Sequence, residues 1–332
     1  MALSIIIVNF KSAQLQIDCL TEIYKDPVAA TFEMIMVDNN SGDDSRQRIT
    51  TAFPQVKWIQ MDSNAGFARA NNEGLKHATG DTMLLLNGDT LPAGRDIEEC
   101  YQRLSRSEYI AAGIQLLSLD GSPQISGMYV MKGGLNYLLP LPYLGSFFKW
   151  IADLAKVKKP HVPGKGAIVE VDWINGAFLM VKQSSIDKVG PFDNDFFLYA
   201  EEAEWCGRLR KTGKMVLYGD LEVTHLQGVT ANLAFGSDGK GYVNMYDRKG
   251  LQLMLSNFVR LRKEFGVGWF LFQLLIYIAD IPVFFFGVLI SGLFGKRTYS
   301  WTVFRQYCKN VGIVIGKSGK IIRNKPYFYK VI

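Results

Sequence analysis

Over residues 1–90 the apolar positions switch repeatedly between a strand-like and a helical period. Residues 3–10 (LSIIIVNF) form a β-branched, apolar run bounded by polar residues, which predicts a strand buried on both faces. Over 12–26, Leu15, Cys19, Leu20 and Ile23 fall along one helical face. A second strand is predicted at 32–38 (FEMIMVD), ending in Asp38 ahead of the turn-rich NNSGDD, and a helix at 43–52. A third strand follows at 56–61 (VKWIQM), a helix at 66–78, and a fourth strand with a polar end at 81–89 (DTMLLLNGD). Strands alternating with helices predict an α/β fold with a mostly parallel sheet flanked by helices. In such sheets ligands bind beyond the carboxyl ends of the strands. Asn9, Asp38, Asn64 and Asp89 all lie at or just after predicted strand ends.

Residues 113–180 are less regular, and 131–166, rich in Gly, Pro and aromatics, is expected to contain a mobile segment. Regularity returns at 171–181 (VDWINGAFLMV), in a short helix and turn (SSIDKVGPFD), and at 196–213. A helical pattern resumes near 245 and leads into 269–294, which carries one charge, Asp280, in 26 residues. That length suffices to span a bilayer. Pro282 divides the stretch, and basic residues flank both sides (Arg260, Arg262, Lys263; Lys296, Arg297). Those features favour a broken helix or hairpin lying in the membrane interface. A transmembrane helix is the second reading, and a buried contact in a homo-oligomer the third.

Charge sharpens this picture. The net charge of +6 is uneven: after Asp280 there are nine Lys or Arg and no acidic residue, which leaves 28 basic against 31 acidic residues, a net of −3, over residues 1–280. Basicity adjoining an apolar stretch points to an anionic membrane surface and away from nucleic acid. Cys19, Cys100, Cys206 and Cys308 are scattered without metal or redox spacing, as in a reducing cytoplasm. The opening MALSIIIVNF has no basic leader and reads as a buried first strand, so a cytoplasmic catalytic part is expected.

Four elements carry candidate chemistry. Asn87-Gly88-Asp89 at a strand terminus offers a carboxylate to a divalent ion, though the same residues also make good turns. The segment 64–74 (NAGFARANNEG) combines small residues with Asn and Arg donors, and a helix starting after Gly66 would aim its first amides at anionic oxygens. The bland alternative is a capped helix without ligand. Glu201, Glu202 and Glu204 follow an aromatic run; they offer a general base, or they simply complement a helix dipole, with Glu204 and Arg208 spaced for an ion pair. His225, one of three histidines, is either a ligand or a structural residue.

In this order and spacing, IIIVNFKS, MIMVDNNSGD, NAGFARANNEG, LLLNGD, VDWINGAFLMVKQSSIDKVGPFDNDFFLYAEEAEWCGRLRKTG and VTHLQG resemble the bacterial family 2 glycosyltransferases, especially the rhamnosyltransferase-like branch. The likeness runs from Ser4 to about Thr230. It implies a GT-A fold over 1–240, with 1–100 binding the nucleotide sugar and 101–240 bearing the acceptor side and base, followed by a helical, membrane-associating region over 241–332. It also implies roles. Asn9 and Asp38 lie near the nucleoside, and Asn64, Gly66, Arg69 and Asn71 near the diphosphate and donor sugar. Asn87 opens the metal motif in place of an acid, while Asp89 and His225 are its metal ligands. Trp173, Asn175 and Gly176 form a sugar-facing wall. Glu202 is the base where the family usually has aspartate, and Glu201 and Glu204 remain alternatives.

The function implied is inverting, metal-dependent transfer of a sugar, rhamnose foremost. The donor would be a dTDP or UDP sugar, the cofactor Mn2+ or Mg2+. The acceptor would be a lipid-linked saccharide in cell-surface polysaccharide synthesis, at the cytoplasmic face of the bacterial inner membrane. A catalytically silent scaffold of the same fold is the competing class. A nucleotidyltransferase would show a Gly-rich basic loop near the N-terminus, and a processive synthase several spans and a Gln-x-x-Arg-Trp motif; neither is present.

Overall fold

The apolar run at the start of the chain forms β1 (Leu3–Asn9), buried along almost its whole length. It is the centre of a computed structural model that describes residues 2–156, 162, 166–226, 228, 232, 235–237, 245–294 and 299–331. Two compact units are resolved. The first comprises Met1–Tyr129, His161–Phe197 and Glu201–Thr230; the second comprises Val130–Pro160, Leu198–Ala200 and Ala231–Ile332.

In the first unit, α1 (Ala13–Tyr24) follows β1 and turns Gln16, Cys19, Leu20 and Ile23 inward. Next come β2 (Glu33–Asp38), α2 (Ser45–Ala52), β3 (Lys57–Gln60), α3 (Gly66–His77) and β4 (Thr82–Asn87). After a short β5 (Thr90–Pro92) come α4 (Gly94–Arg106), β6 (Ala111–Leu117), β7 (Gly127–Met128), β8 (Ile168–Val171), β9 (Trp173–Ile174) and β10 (Phe178–Lys182). The unit closes with α6 (Gln183–Val189), α7 (Glu201–Leu209) and β11 (Met215–His225). The main sheet has the order β3-β2-β1-β4-β10-β6-β11-β5, with β8 added on β11. β1, β2, β3 and β4 are mutually parallel; β10 runs antiparallel to β4 and to β6, β11 is parallel to β6, and β5 and β8 reverse again. Six strands therefore share one direction, as the alternating pattern predicts. Asn9, Asp38, Asn87 and His225, which end β1, β2, β4 and β11, all point to one edge of the sheet.

In the second unit the stretch 131–166 is ordered where it is described. A 3-10 turn at Lys132–Leu138 precedes α5 (Leu144–Leu154). Gly133 and Gly134, both at φ +66°, let that turn lie against Trp269 and Leu261, and its carbonyls accept from Gln273 Nε2. Residues 157–161 and 163–165 lie outside the described residues.

The same unit contains α8 (Arg248–Phe265), α9 (Val267–Leu293) and α10 (Trp301–Arg323). The expected break or hairpin at Pro282 is absent: α9 is one continuous helix with Pro282 inside it. An interior proline costs about 3 kcal/mol. Packing on both sides of it offsets this, because Phe270, Gln273, Leu274, Tyr277, Asp280, Phe284 and Val288 form one buried stripe. Phe258 of α8 meets Phe270 and Tyr277 edge-on, and Tyr307 of α10 packs on Phe284 and donates to Tyr277 O at 3.1 Å.

Asp280 is fully buried in this stripe, and burial pushes its carboxyl up to about 7. A carboxyl raised in the folded state favours folding at low pH and loses that contribution as pH rises through its folded value. A difference of about three in pKa corresponds to roughly 4 kcal/mol. Asp280→Asn is therefore expected to flatten a decline in stability between about pH 4 and pH 7, read by denaturant unfolding across that range.

Candidate active site

Pairing of β5 with the end of β11 builds the centre of the site. Thr90, Leu91 and Pro92 pair antiparallel with His225, Thr224 and Val223, and Leu226 N donates to Asp89 O at 2.8 Å. Thr90 Oγ1 closes the turn on Asn87 O at 2.6 Å. Asp89 Oδ1 then stands 3.4 Å from His225 Nε2, both side chains buried, and Gly228 N donates to Asp89 Oδ2 at 3.2 Å.

Gln124 fixes the histidine. Its Nε2 donates to His225 O at 2.7 Å, which turns its Oε1 toward His225 Nδ1 at 2.9 Å. That amide orientation assigns the proton to Nδ1. In the neutral ring, the Nε2 lone pair consequently faces a carboxylate oxygen. Two electron-rich atoms held face to face are what a cation would bridge, so these residues fit a divalent ion. Gln124 lies in the irregular stretch after β6, where nothing in the sequence pattern marks it. Among the described residues, no group of three or more His, Cys, Asp or Glu gathers to hold a metal.

Beyond the ends of β1 and β2 lies a buried polar chain. Asn9 Nδ2 donates to Asp38 Oδ1 at 2.7 Å and to Ser41 Oγ at 3.0 Å; Gln60 Nε2 donates to Asp38 Oδ2 at 2.8 Å. Ser12 Oγ donates to Asn9 Oδ1 at 3.1 Å, and Gln16 Nε2 to Ser12 Oγ at 3.0 Å. The Gln16 amide lies so close to Gly88 that a Cβ there would strike it, so the chain ends beneath the Asn87–Asp89 turn. Ser12, Gln16, Ser41 and Gln60 are additions to the sequence reading. Gln16 alone left a trace there, as a polar residue on the apolar face of α1.

Glu202 belongs to the same neighbourhood. Asn87 N donates to Ala177 O at 3.0 Å, and the adjoining Gly176 has its open side against Glu202, whose Cβ and Cγ would lie 3.4 Å from a Cβ there. Asn175 shapes this turn, donating to Ile125 O and accepting from Ala177 N at 3.0 Å. Among the described residues, Trp173 Nε1 and Asn87 Oδ1 are buried without hydrogen-bond partners. Such orphans are costly unless a ligand completes them. Tyr199 and Ala200, at φ +70° and +64°, precede Glu201 in a left-handed conformation that non-glycine residues adopt only under constraint. Glu201 and Glu202 are both buried in the first turn of α7.

Other expected residues serve different ends. Glu204 holds Arg208 through both carboxylate oxygens, at 2.8–3.1 Å, and Arg208 in turn binds Val189 O and Pro191 O. Two positions along a helix place Glu204 about 200° around the axis from Glu202, where it clamps Arg208. Arg69 Nε donates to Asn194 O at 2.9 Å, beside a cavity also lined by Met61, Asn72, Asp187 and Asn194. Asn71 Nδ2 caps Phe67 O at 3.0 Å within α3. Two of the first amides of α3 have protein acceptors. Gly66 N donates to Asn64 Oδ1 at 3.1 Å and Phe67 N to Phe197 O at 2.8 Å, while Asn64 Oδ1 also accepts from Asn39 at 3.0 Å.

Residues 4–160 match the model of the family described as glycosyl transferase family 2. Among curated proteins, the chain is similar to the low-salt glycan biosynthesis hexosyltransferase of Haloferax volcanii, 28% identical over 214 residues, covering 63% of this chain and 62% of that protein. It is also similar to N-acetylglucosaminyl-diphospho-decaprenol L-rhamnosyltransferase of Mycobacterium tuberculosis, 24% identical over 208 residues, covering 58% and 66%. The match thus spans a little under two thirds of these relatives' own lengths. Among solved structures, the mannosyltransferase of Pyrobaculum calidifontis in complex with GDP-Man and Mn2+ aligns with TM-score 0.51 at 14% identity, over 94% of this chain and 86% of that one. GalNAc-T7 with UDP, GalNAc and Mn2+ aligns with TM-score 0.54 at 14% identity, over 79% and 48%. At this identity the likeness establishes the fold, the GT-A type that the motifs imply.

Gly66, at φ +82°, has its open side against Phe197 O, and a Cβ would collide with it. Gly66→Ala is expected to destabilise the first unit by about 1–3 kcal/mol from backbone strain alone and to weaken nucleotide binding. Thermal unfolding with and without nucleoside diphosphate measures both.

Proposed function

We propose that this chain, which carries a glycosyl transferase family 2 domain over residues 4–160, moves a sugar from a nucleoside-diphosphate donor to an acceptor hydroxyl with inversion at the anomeric carbon. The observation that carries the reading is the convergence of Asp89, His225 and Glu202 at one edge of the sheet. Asp89 and His225 are 3.4 Å apart. Glu202 joins them through Gly176 and the Ala177–Asn87 hydrogen bond.

The nucleoside would rest against Asp38, whose carboxylate is held by Asn9, Ser41 and Gln60. Asp89 and His225 would hold Mn2+ or Mg2+, with diphosphate oxygens and water completing the shell, as these ions prefer. Bound there, the ion would neutralise charge on the departing diphosphate. Glu202 accepts the acceptor hydroxyl proton while that oxygen attacks the anomeric carbon. The bond to the diphosphate breaks on the opposite face, so a single displacement suffices and Glu202 ends protonated. Trp173 Nε1 and Asn87 Oδ1, a buried donor and a buried acceptor, are suited to sugar hydroxyls.

We retain rhamnose as the sugar, from a dTDP or UDP donor, on the likeness to the mycobacterial rhamnosyltransferase. A lipid-linked saccharide is the proposed acceptor, met at the cytoplasmic face of the bacterial inner membrane. The 27-residue α9, long and apolar enough to cross a bilayer, and the basic residues that follow Asp280 support a membrane location.

Glu202→Gln is expected to lower turnover by a hundred- to ten-thousand-fold, on the order seen for loss of a general base, with donor binding retained. Single-turnover transfer and calorimetric donor titration separate the two effects; near-normal turnover would remove the base assignment. Gln124→Leu frees the His225 ring and is expected to weaken Mn2+ binding by about 10- to 100-fold, read by electron paramagnetic resonance without any substrate.

A further inference from the structure

We infer that α5 is a membrane-inserting helix that lies with α9 in the headgroup region of an anionic bilayer. The inference rests on the proposed membrane location but not on the chemistry of transfer. In the first unit, the large apolar side chains that stand exposed among the described residues are Val28, Leu119, Ile125 and Ile168, scattered singly; all the others belong to the second unit. Scattered exposure is ordinary, whereas a contiguous apolar face marks an interaction surface.

α5 is the sharpest case. Phe147, Trp150, Ile151 and Leu154 recur at positions i, i+3, i+4 and i+7, and all four are exposed. Gly145 is the sole buried residue of the helix. An amphipathic helix docked on its own protein turns such a stripe inward. An 11-residue helix is too short to persist in water by propensity alone. The stripe needs a cover. Tyr143, just before α5, packs on Phe284 at 6.0 Å and against Gly287, so α5 starts from the flank of α9. On the side of α9 turned away from Phe284, Leu275, Phe286 and Leu293 are more than half exposed.

Charge identifies the cover. The chain after Asp280 has nine basic residues and no acidic one, which complements anionic headgroups. A second copy docking on this face would bring like charges together. Exposed Trp150 and Trp301 suit the boundary between hydrocarbon and water. Burial sets the depth. The inner stripe of α9 is packed on α8 and α10, whose Arg260, Arg262, Lys309 and Lys317 would have to enter the hydrocarbon if α9 crossed it. Lying flat wets those charges and buries only the outer apolar faces.

The test is co-flotation of the full chain with vesicles of phosphatidylcholine containing about one-third phosphatidylglycerol, an anionic fraction that gives a strong surface potential. The Phe147→Glu, Trp150→Glu double variant is expected to partition at least about tenfold less than wild type, with nucleoside-diphosphate binding unchanged as proof of folding. Phe147→Ala, Trp150→Ala, which keeps a strong helix former at each site, should fall between the two. Leu119→Glu, on the first unit, should bind as wild type does. Equal flotation of the double variant and wild type would overturn the inference. So would a lipid-free dimer of wild type that the double variant dissolves, or protease access to both membrane faces showing that α9 spans. Intact vesicle binding by a wild type that transfers no sugar would strike the catalytic reading and leave the role of α5 supported.

Discussion

The pairing of β5 with the end of β11 is the constraint on which the site depends. Asp89 and His225 lie far apart in the chain, and neither residue alone distinguishes a ligand from a turn acid or a buried ring. A three-residue strand beginning one position after Asp89 joins the last three residues of β11 and sets the two side chains face to face. Backbone hydrogen bonds, which must be made somewhere in a buried strand, thereby fix a functional distance. Gln124 completes the geometry by choosing which ring nitrogen bears the proton. Asp89 is therefore held through its main chain and, by Gly228 N, its carboxylate, and His225 through both its main chain and its ring.

A second constraint is electrostatic. Asp38, Asn9, Ser12 and Gln16 are buried, and polar groups out of water must pair with one another. Their hydrogen bonds run from the end of β2 to the end of β1 and into α1, finishing beneath Gly88. The ends of β1 and β2 and the Asn87–Asp89 turn are thus joined by one polar network. A substitution in α1, remote from any ligand, would be felt at the Asn87–Asp89 turn through Gln16. The Glu204–Arg208 clamp works in the same way on the 189–191 loop, holding the start of α7 so that Glu202 faces Gly176.

The second unit mixes polar groups into an apolar core and leaves large apolar side chains outside. Its helices turn Gln273, Asp280 and Asn310 inward and keep Leu275, Phe286 and Trp150 outside. Arg260 and Glu264 pair at 2.7 Å inside it, with Tyr137 as a further partner of the arginine. Inward polar groups carry a desolvation cost that only hydrogen bonds or neutralisation relieve. Outward apolar groups call for a medium other than water. Both features follow if lipid replaces solvent on one side, as the inference for α5 requires.

Much of the fold is written in local periodicity. The runs LSIIIVN, EMIMVD and TMLLLN could hardly be other than buried parallel strands, and the residues ending them reach the same edge because parallel strands share a direction. Local pattern also marks the acidic start of α7 and the apolar length of α9. The register that opposes His225 to Thr90, the proton on Nδ1, and the uses of Arg69, Asn71 and Glu204 depend on partners distant in sequence, so no local pattern contains them. Continuity of α9 through Pro282 is of the same kind. A proline's cost is a local quantity, whereas the packing of α8 and α10 that outweighs it exists only once the chain has folded.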